Sequence, residues 1–231
     1  MRAMILAAGR GERMRPLTDT LPKPLLRVGG RPLIVWHLMR LAKAGFTDVV
    51  VNHAWLGHKI EEALGDGRRL GLHISYSAEP QALETAGGIV QAMDFFQDRP
   101  FLVINGDVWC DWDPAQAPAI AADIQSHGKL AWLLMVDNPP QHPKGDFRLD
   151  ETAHLGMDDG APDSTALTFS GIGIYQPSLF QGLERGRPAP LAPLLRQAMQ
   201  QRRIVGARHD GDWVDVGTPE RLAALDQRLG G

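Results

Sequence analysis

The residues with the clearest chemical potential lie close to the N-terminus. An apolar run at residues 4–8 meets Gly9 and Gly11, and Arg10, Arg13, Arg15 and Lys23 crowd the next dozen positions. A buried strand that opens into a glycine turn can aim backbone N–H groups at an anion. Guanidinium groups beside it grip phosphate oxygens in pairs, so the stretch points to phosphate. A basic surface loop with a tight turn would use the same residue types. Lys23 stands between Pro22 and Pro24, which stiffen its backbone. Two carboxylates stand out elsewhere. Asp107 comes after an apolar run and Asn105-Gly106, and Asp215 sits in the apolar stretch Trp213-Val214-Asp215-Val216-Gly217. An unpartnered carboxylate in apolar surroundings is costly, and a metal ion would supply the partner. A plain Asn-Gly-Asp turn is the alternative for Asp107. For Asp215 the alternative is a helix N-cap, a role Thr218 suits better in front of Pro219. Asp111 and Asp113 have the character of solvated loop acids.

Several familiar arrangements are excluded. No Gly-Lys-Ser or Gly-Lys-Thr occurs, so there is no P-loop. The dinucleotide fingerprint fails because Met14 stands where its third glycine belongs. Pro16, Pro22 and Pro24 prevent a long helix from starting at Gly11, so the stretch is expected to be a loop over a ligand. The histidines show no H-x-H or H-E-x-x-H spacing, which argues against a zinc hydrolase. Cys110 is the one cysteine; with no histidine near it in sequence it reads as a structural thiol, and it fits a reducing compartment.

The elements that must position these residues alternate along the first half. Strands are expected at 4–8, 48–51, 73–76 and 101–104, with helices at 32–44, 57–64 and 85–96. That order implies an α/β fold whose parallel sheet is covered on both faces. Ligands bind beyond the carboxyl ends of such strands, where residues 6–11 and 105–107 can meet. Later the pattern predicts helices at 114–126, 194–201 and 219–229 and strands at 130–136, 165–175 and 204–207. The chain has 231 residues, 44% hydrophobic and 22% charged, with a net charge of −3. That balance provides no basic field for nucleic acid or an anionic membrane. No stretch approaches the ~18 apolar residues of a membrane span, and the apolar start is too short for a signal peptide. A cytoplasmic protein of one domain, residues 1–231, is expected.

The segment LAAGRGERMRP and the PKPLL after it resemble the signature of the sugar-1-phosphate nucleotidyltransferases, the nucleotide-sugar pyrophosphorylases. Residues 79–88 (EPQALETAGG), Asn105-Gly106-Asp107 and residues 213–220 (WVDVGTPE) extend the resemblance over nearly the whole chain. It implies a Rossmann-like αβα sandwich with a central mixed, mostly parallel sheet of the nucleotide-diphospho-sugar transferase type, here without an appended C-terminal β-helix domain. It implies transfer of a nucleotidyl group from a nucleoside triphosphate to a sugar 1-phosphate, with Mg2+ held by Asp107 and Asp215. The short chain and the ETAGG segment are most like members that take UTP and N-acetylmuramate α-1-phosphate. GTP with mannose 1-phosphate, dTTP with glucose 1-phosphate, or a non-catalytic nucleotide-sugar-binding regulator are the alternatives.

The resemblance also implies roles for single residues. Ala7, Ala8, Gly9, Gly11, Glu12 and Arg13 form the phosphate loop, Arg13 facing the departing pyrophosphate and Lys23 the nucleotide phosphates. Glu79, Gly87 and Gly88 form the base and ribose pocket, with Glu79 accepting from a ring N–H. Glu84 replaces the first glycine of the familiar L-G-T-A-G form. Asn105, Gly145, Thr168 and Gly171 border the sugar. Lys144 and Arg148, which flank Gly145, are the candidate cations for a sugar carboxylate.

Overall fold

A computed structural model describes residues 1–157 and 164–230. The first half runs β1 (Arg2–Leu6), β2 (Arg27–Val28), β3 (Arg31–Pro32), α1 (Leu33–Lys43), β4 (Asp48–His53), α2 (Gly57–Leu64), β5 (His73–Ala78), α3 (Glu84–Gln91) and β6 (Phe101–Asn105). The second half runs β7 (Val108–Cys110), α4 (Ala117–Ser126), β8 (Ala131–Val136), β9 (Phe147–Leu149), β10 (Leu155–Gly156), β11 (Thr165–Tyr175), α5 (Leu191–Gln200), β12 (Ile204–Arg208), β13 (Trp213–Asp215) and α6 (Pro219–Gly230).

The main sheet is mixed. β1 lies between β4 and β6, parallel to both, and β5 extends the parallel half. The long strand β11 runs antiparallel to β6, β8 and β9, and β12 returns parallel to β8. Alternation along β1 shows why both faces are covered. Ala3 and Ile5 enter one apolar layer with Ile34, Leu38 and Leu41 of α1, while Met4 enters the other with Ile89 of α3 and Leu195 of α5. The β13–β7 ribbon and α6 close one end, packing Val216 and Leu225 on Trp109 and Leu33.

The expected α/β sandwich is therefore present, and the proline-rich segment is a loop of three isolated 3-10 turns, Glu12–Met14, Leu17–Asp19 and Lys23–Leu25. Some expectations need correction. The helix expected over 85–96 ends at Gln91 and gives way to a 3-10 turn, Met93–Phe96, which lays Phe96 flat against Phe101 at 3.8 Å between centroids. The helix expected over 194–201 begins at Leu191, because Leu191, Leu195 and Ala198 form a stripe that buries against the sheet. Of the one expected over 114–126, the first turn is 3-10, with the Asp113 carboxylate accepting from the Ala115 N–H at 3.0 Å.

Candidate active site

The glycine loop leaves the carboxyl end of β1 and lines a cavity of ≈ 530 Å³. Ala7, Ala8, Gly9, Gly11, Glu12, Arg13, Lys23 and Asp107 all border it, together with Arg10, Asn52, Glu84, Thr85 and Asn105. Gly11 takes φ +66°, and a Cβ there would lie 3.0 Å from Thr18 Cγ2. The Thr18 hydroxyl donates to the Gly11 carbonyl at 2.8 Å and fixes the turn. Lys23 is buried along its stem, and its ammonium donates to Asp107 Oδ2 at 2.7 Å.

Asp107 and Asp215, distant in sequence, become neighbours through the β7–β13 ribbon. Asp215 stands opposite Val108, and the Val216 N–H donates to the Asp107 carbonyl at 3.0 Å. Each carboxylate carries one cation, Lys23 on Asp107 and Arg221 on Asp215, both at 2.7 Å. Asp215 is not a helix cap; Thr218 Oγ1 accepts from the Arg221 N–H at 3.4 Å instead. The neighbouring acids are committed elsewhere, Asp111 to His209 at 2.6 Å and Asp113 to its helix start. Asp107 and Asp215 border one cavity, and although each is paired with a cation, two carboxylates on one cavity are the hard-oxygen donors that Mg2+ takes. Cys110 is buried, and burial pushes its thiol up to about 11, as a structural thiol requires.

A second cavity of ≈ 300 Å³ adjoins Asp107 and Asp215 and is bordered by Asn105, His142, Asp146, Thr168, Gly171 and Trp213. Thr168 donates to Asn138 Oδ1 at 2.9 Å, and the Phe169 N–H donates to Asp146 Oδ2 at 2.8 Å. Gly171, at φ +83°, leaves room for the Asn105 amide, which a Cβ would approach to 2.7 Å. A third cavity of ≈ 450 Å³ has an apolar wall of Phe147, Phe169, Leu191 and Leu195 and opens beside Glu84, Thr85 and Asn105. Asn105 is common to all three cavities.

Other expected residues are placed differently. Glu79 is buried and lines none of these cavities; its two oxygens accept from Asn52 Nδ2 at 2.7 Å and the Leu83 N–H at 2.9 Å. Asn52 in turn accepts from the Ala7 N–H at 2.8 Å, so the pair braces the loop rather than facing a base. Gly87 and Gly88 are buried in α3, where they permit close packing: a Cβ on Gly87 would lie 2.6 Å from the Arg187 carbonyl, and one on Gly88 2.7 Å from Glu79 Oε1. Gly145 shapes its loop against Leu167 and Asn138 and borders none of these three cavities. Lys144 is exposed, and Arg148 donates through Nε to Ser164 Oγ at 2.7 Å; neither borders the three cavities. Asn52, His142, Asp146, Phe169 and Arg221 are not identifiable from sequence, because none belongs to a motif and only the fold brings them to the site.

The nucleotidyl transferase family model matches residues 2–229. The chain is 56% identical over 225 residues to the N-acetylmuramate alpha-1-phosphate uridylyltransferase of Neisseria meningitidis serogroup B, covering 96% of this chain and 95% of that one. It is 33% identical over 234 residues to the protein of the same name from Caulobacter vibrioides, covering 98% and 96%. Among solved structures, a putative glucose-1-phosphate thymidylyltransferase from Bacillus anthracis superposes with a TM-score of 0.84 over 100% of this chain and 95% of that one. At 20% identity that likeness concerns the fold alone.

Proposed function

The chain belongs to the nucleotidyl transferase family, and we propose that it is a magnesium-dependent uridylyltransferase. In this reading UTP and N-acetylmuramate α-1-phosphate give UDP-N-acetylmuramate and pyrophosphate, a reaction of cell-wall recycling. The observation that carries the substrate is the near-full-length likeness to uridylyltransferases of that name. The site's make-up supports the chemistry.

A phosphate oxygen of the sugar phosphate attacks the α-phosphorus of UTP, and the bond to the pyrophosphate breaks. The nucleophile is already an anion, so no general base is needed. The barrier lies in bringing two polyanions together in line. Arg13 neutralises the departing pyrophosphate, and Lys23, at the cavity wall beside Asp107, offers its ammonium to the triphosphate. Asp107 and Asp215 would hold Mg2+, which would supply positive charge to the phosphate oxygens. Asn105, where the cavities meet, orients the sugar with Thr168 and Gly171. Lys144, exposed and off the cavity walls but between the wall residues His142 and Asp146 in sequence, is the cation proposed for the lactyl carboxylate, since Arg148 is engaged by Ser164.

The test is pyrophosphate release from UTP, GTP and dTTP against N-acetylmuramate, N-acetylglucosamine, mannose and glucose 1-phosphates, with and without Mg2+. UTP with N-acetylmuramate 1-phosphate should turn over fastest, and only with the metal. Preference for another pair would reassign the substrate, and no release from any pair would leave a nucleotide-sugar-binding regulator.

A further inference from the structure

Glu84 holds φ +58°, in the left-handed region that carries a steric cost for any residue with a Cβ. The L-G-T-A-G form that this segment resembles has glycine there, so the chain keeps a glycine backbone with a glutamate side chain. Among the described residues the Glu84 carboxylate has no hydrogen-bond or ion-pair partner. Its neighbour Leu83 supplies the local anchoring, being buried with its N–H on Glu79. As the first residue of α3 the carboxylate favours the positive end of the helix, but that effect does not require a side chain at φ +58°, and strained residues gather where ligands bind.

Its position says which ligand. Glu84, Thr85 and Asn105 are the residues shared by the loop cavity and the cavity walled by Phe147, Phe169 and Leu195. Asn105 also borders the cavity that holds Asp107 and Asp215. A sugar whose phosphate lies at those aspartates meets Asn105, and at Asn105 the cavity beside Glu84 is also open to it. We propose that Glu84 is a specificity-determining residue, its carboxylate accepting a hydrogen bond from a hydroxyl or amide N–H of the sugar. The inference rests on the sugar-phosphate reading above. A site built to receive such a donor discriminates strongly against a sugar that lacks it.

The test uses the full chain with Glu84→Gly, Glu84→Ala and Glu84→Gln. Binding of N-acetylmuramate 1-phosphate is measured by calorimetry, stability by thermal unfolding, and turnover separately. Glu84→Gly should raise Tm by about 2–4 °C through relief of the backbone. Glu84→Gly and Glu84→Ala should weaken sugar-phosphate binding about tenfold or more, as loss of a charged hydrogen bond does, and by more than they raise the KM for UTP. Glu84→Gln, which keeps an acceptor, should recover part of the loss. Unchanged sugar-phosphate binding in the variants, a rise confined to UTP, or a parent protein that binds no sugar phosphate would each overturn the proposal. Weakened binding in the variants of a parent without turnover would keep the proposal and refute the proposed activity.

Discussion

Lys23 illustrates how far single residues could be read. Between two prolines it has the sequence character of a surface charge, yet its stem is buried and its ammonium sits on Asp107. Lys23→Ala removes the cation beside that aspartate and, on the proposed function, a triphosphate contact. The KM for UTP should rise and kcat/KM fall by about 10²-fold or more, while the KM for the sugar phosphate changes little. Arg13→Ala should act in the same direction; a rise in the sugar-phosphate KM alone would place these residues elsewhere. Asp107→Asn and Asp215→Asn should each lose about 10²–10³-fold in turnover at limiting Mg2+. Circular dichroism should show both variants folded, since each aspartate is partly exposed. Near-parental activity in either would remove that residue from the metal site. Both aspartates could be singled out in sequence, because a carboxylate in an apolar or glycine-rich setting implies a partner, and the partners found are Lys23 and Arg221. Glu79 was not, because the spacing of a residue carries no information on its burial, and burial turned a candidate base contact into a brace.

Long elements were legible and very short ones were not. β11 and α2 occupy the residues their periodicity indicates, whereas β7, β9, β10 and β13 are two or three residues long and too short to show a period. The ribbon of β7 and β13 is nonetheless what joins Asp107 to Asp215. The same limit applies to α3, whose glycines read as room for a base. Gly88 faces inward, and its missing Cβ lets Asn52 and Glu79 bond while Asn52 holds the Ala7 N–H. A methyl group there would lie 2.7 Å from Glu79 Oε1 and 2.8 Å from Asn52 Nδ2. Gly88→Ala should therefore destabilise the protein by about 1–3 kcal/mol and raise the KM for UTP by loosening the glycine loop. Asn52→Leu should reproduce the loss of affinity. Urea unfolding with UTP kinetics on both variants checks this; a parental midpoint and KM for Gly88→Ala would mean that the brace does not hold the loop.

At the scale of the molecule, the alternation of strand and helix made the covered parallel half readable, while the register of the antiparallel half depends on pairings distant in sequence. The two halves meet beside β6, and one buried group records how the end of that region is fastened. His37 of α1 is buried, and its Nε2 lies 2.7 Å from the Val108 carbonyl of β7, the residue after Asp107. Only the protonated nitrogen can donate to that carbonyl, so neutral His37 carries its proton on Nε2. Burial lowers its pKa from 6.5 to about 4; the hydrogen bond to Val108 opposes the shift, nearby Arg40 adds to it, and Asp107 opposes it. The unfolded chain therefore takes up a proton on this histidine at higher pH than the native protein does. Stability linked to His37 is complete above about pH 6.5, falls as the pH drops towards 4, and changes no further below that. The shift corresponds to about 3 kcal/mol over that window. Other groups titrate in the same range, so the test is a difference: urea unfolding of the parent and of His37→Gln from pH 8 to pH 4. His37→Gln should be the less stable protein at pH 8, through the disturbed contact with Val108. Its disadvantage should shrink as the pH falls, and stability curves that stay parallel across the range would show that this histidine is not held neutral by the fold.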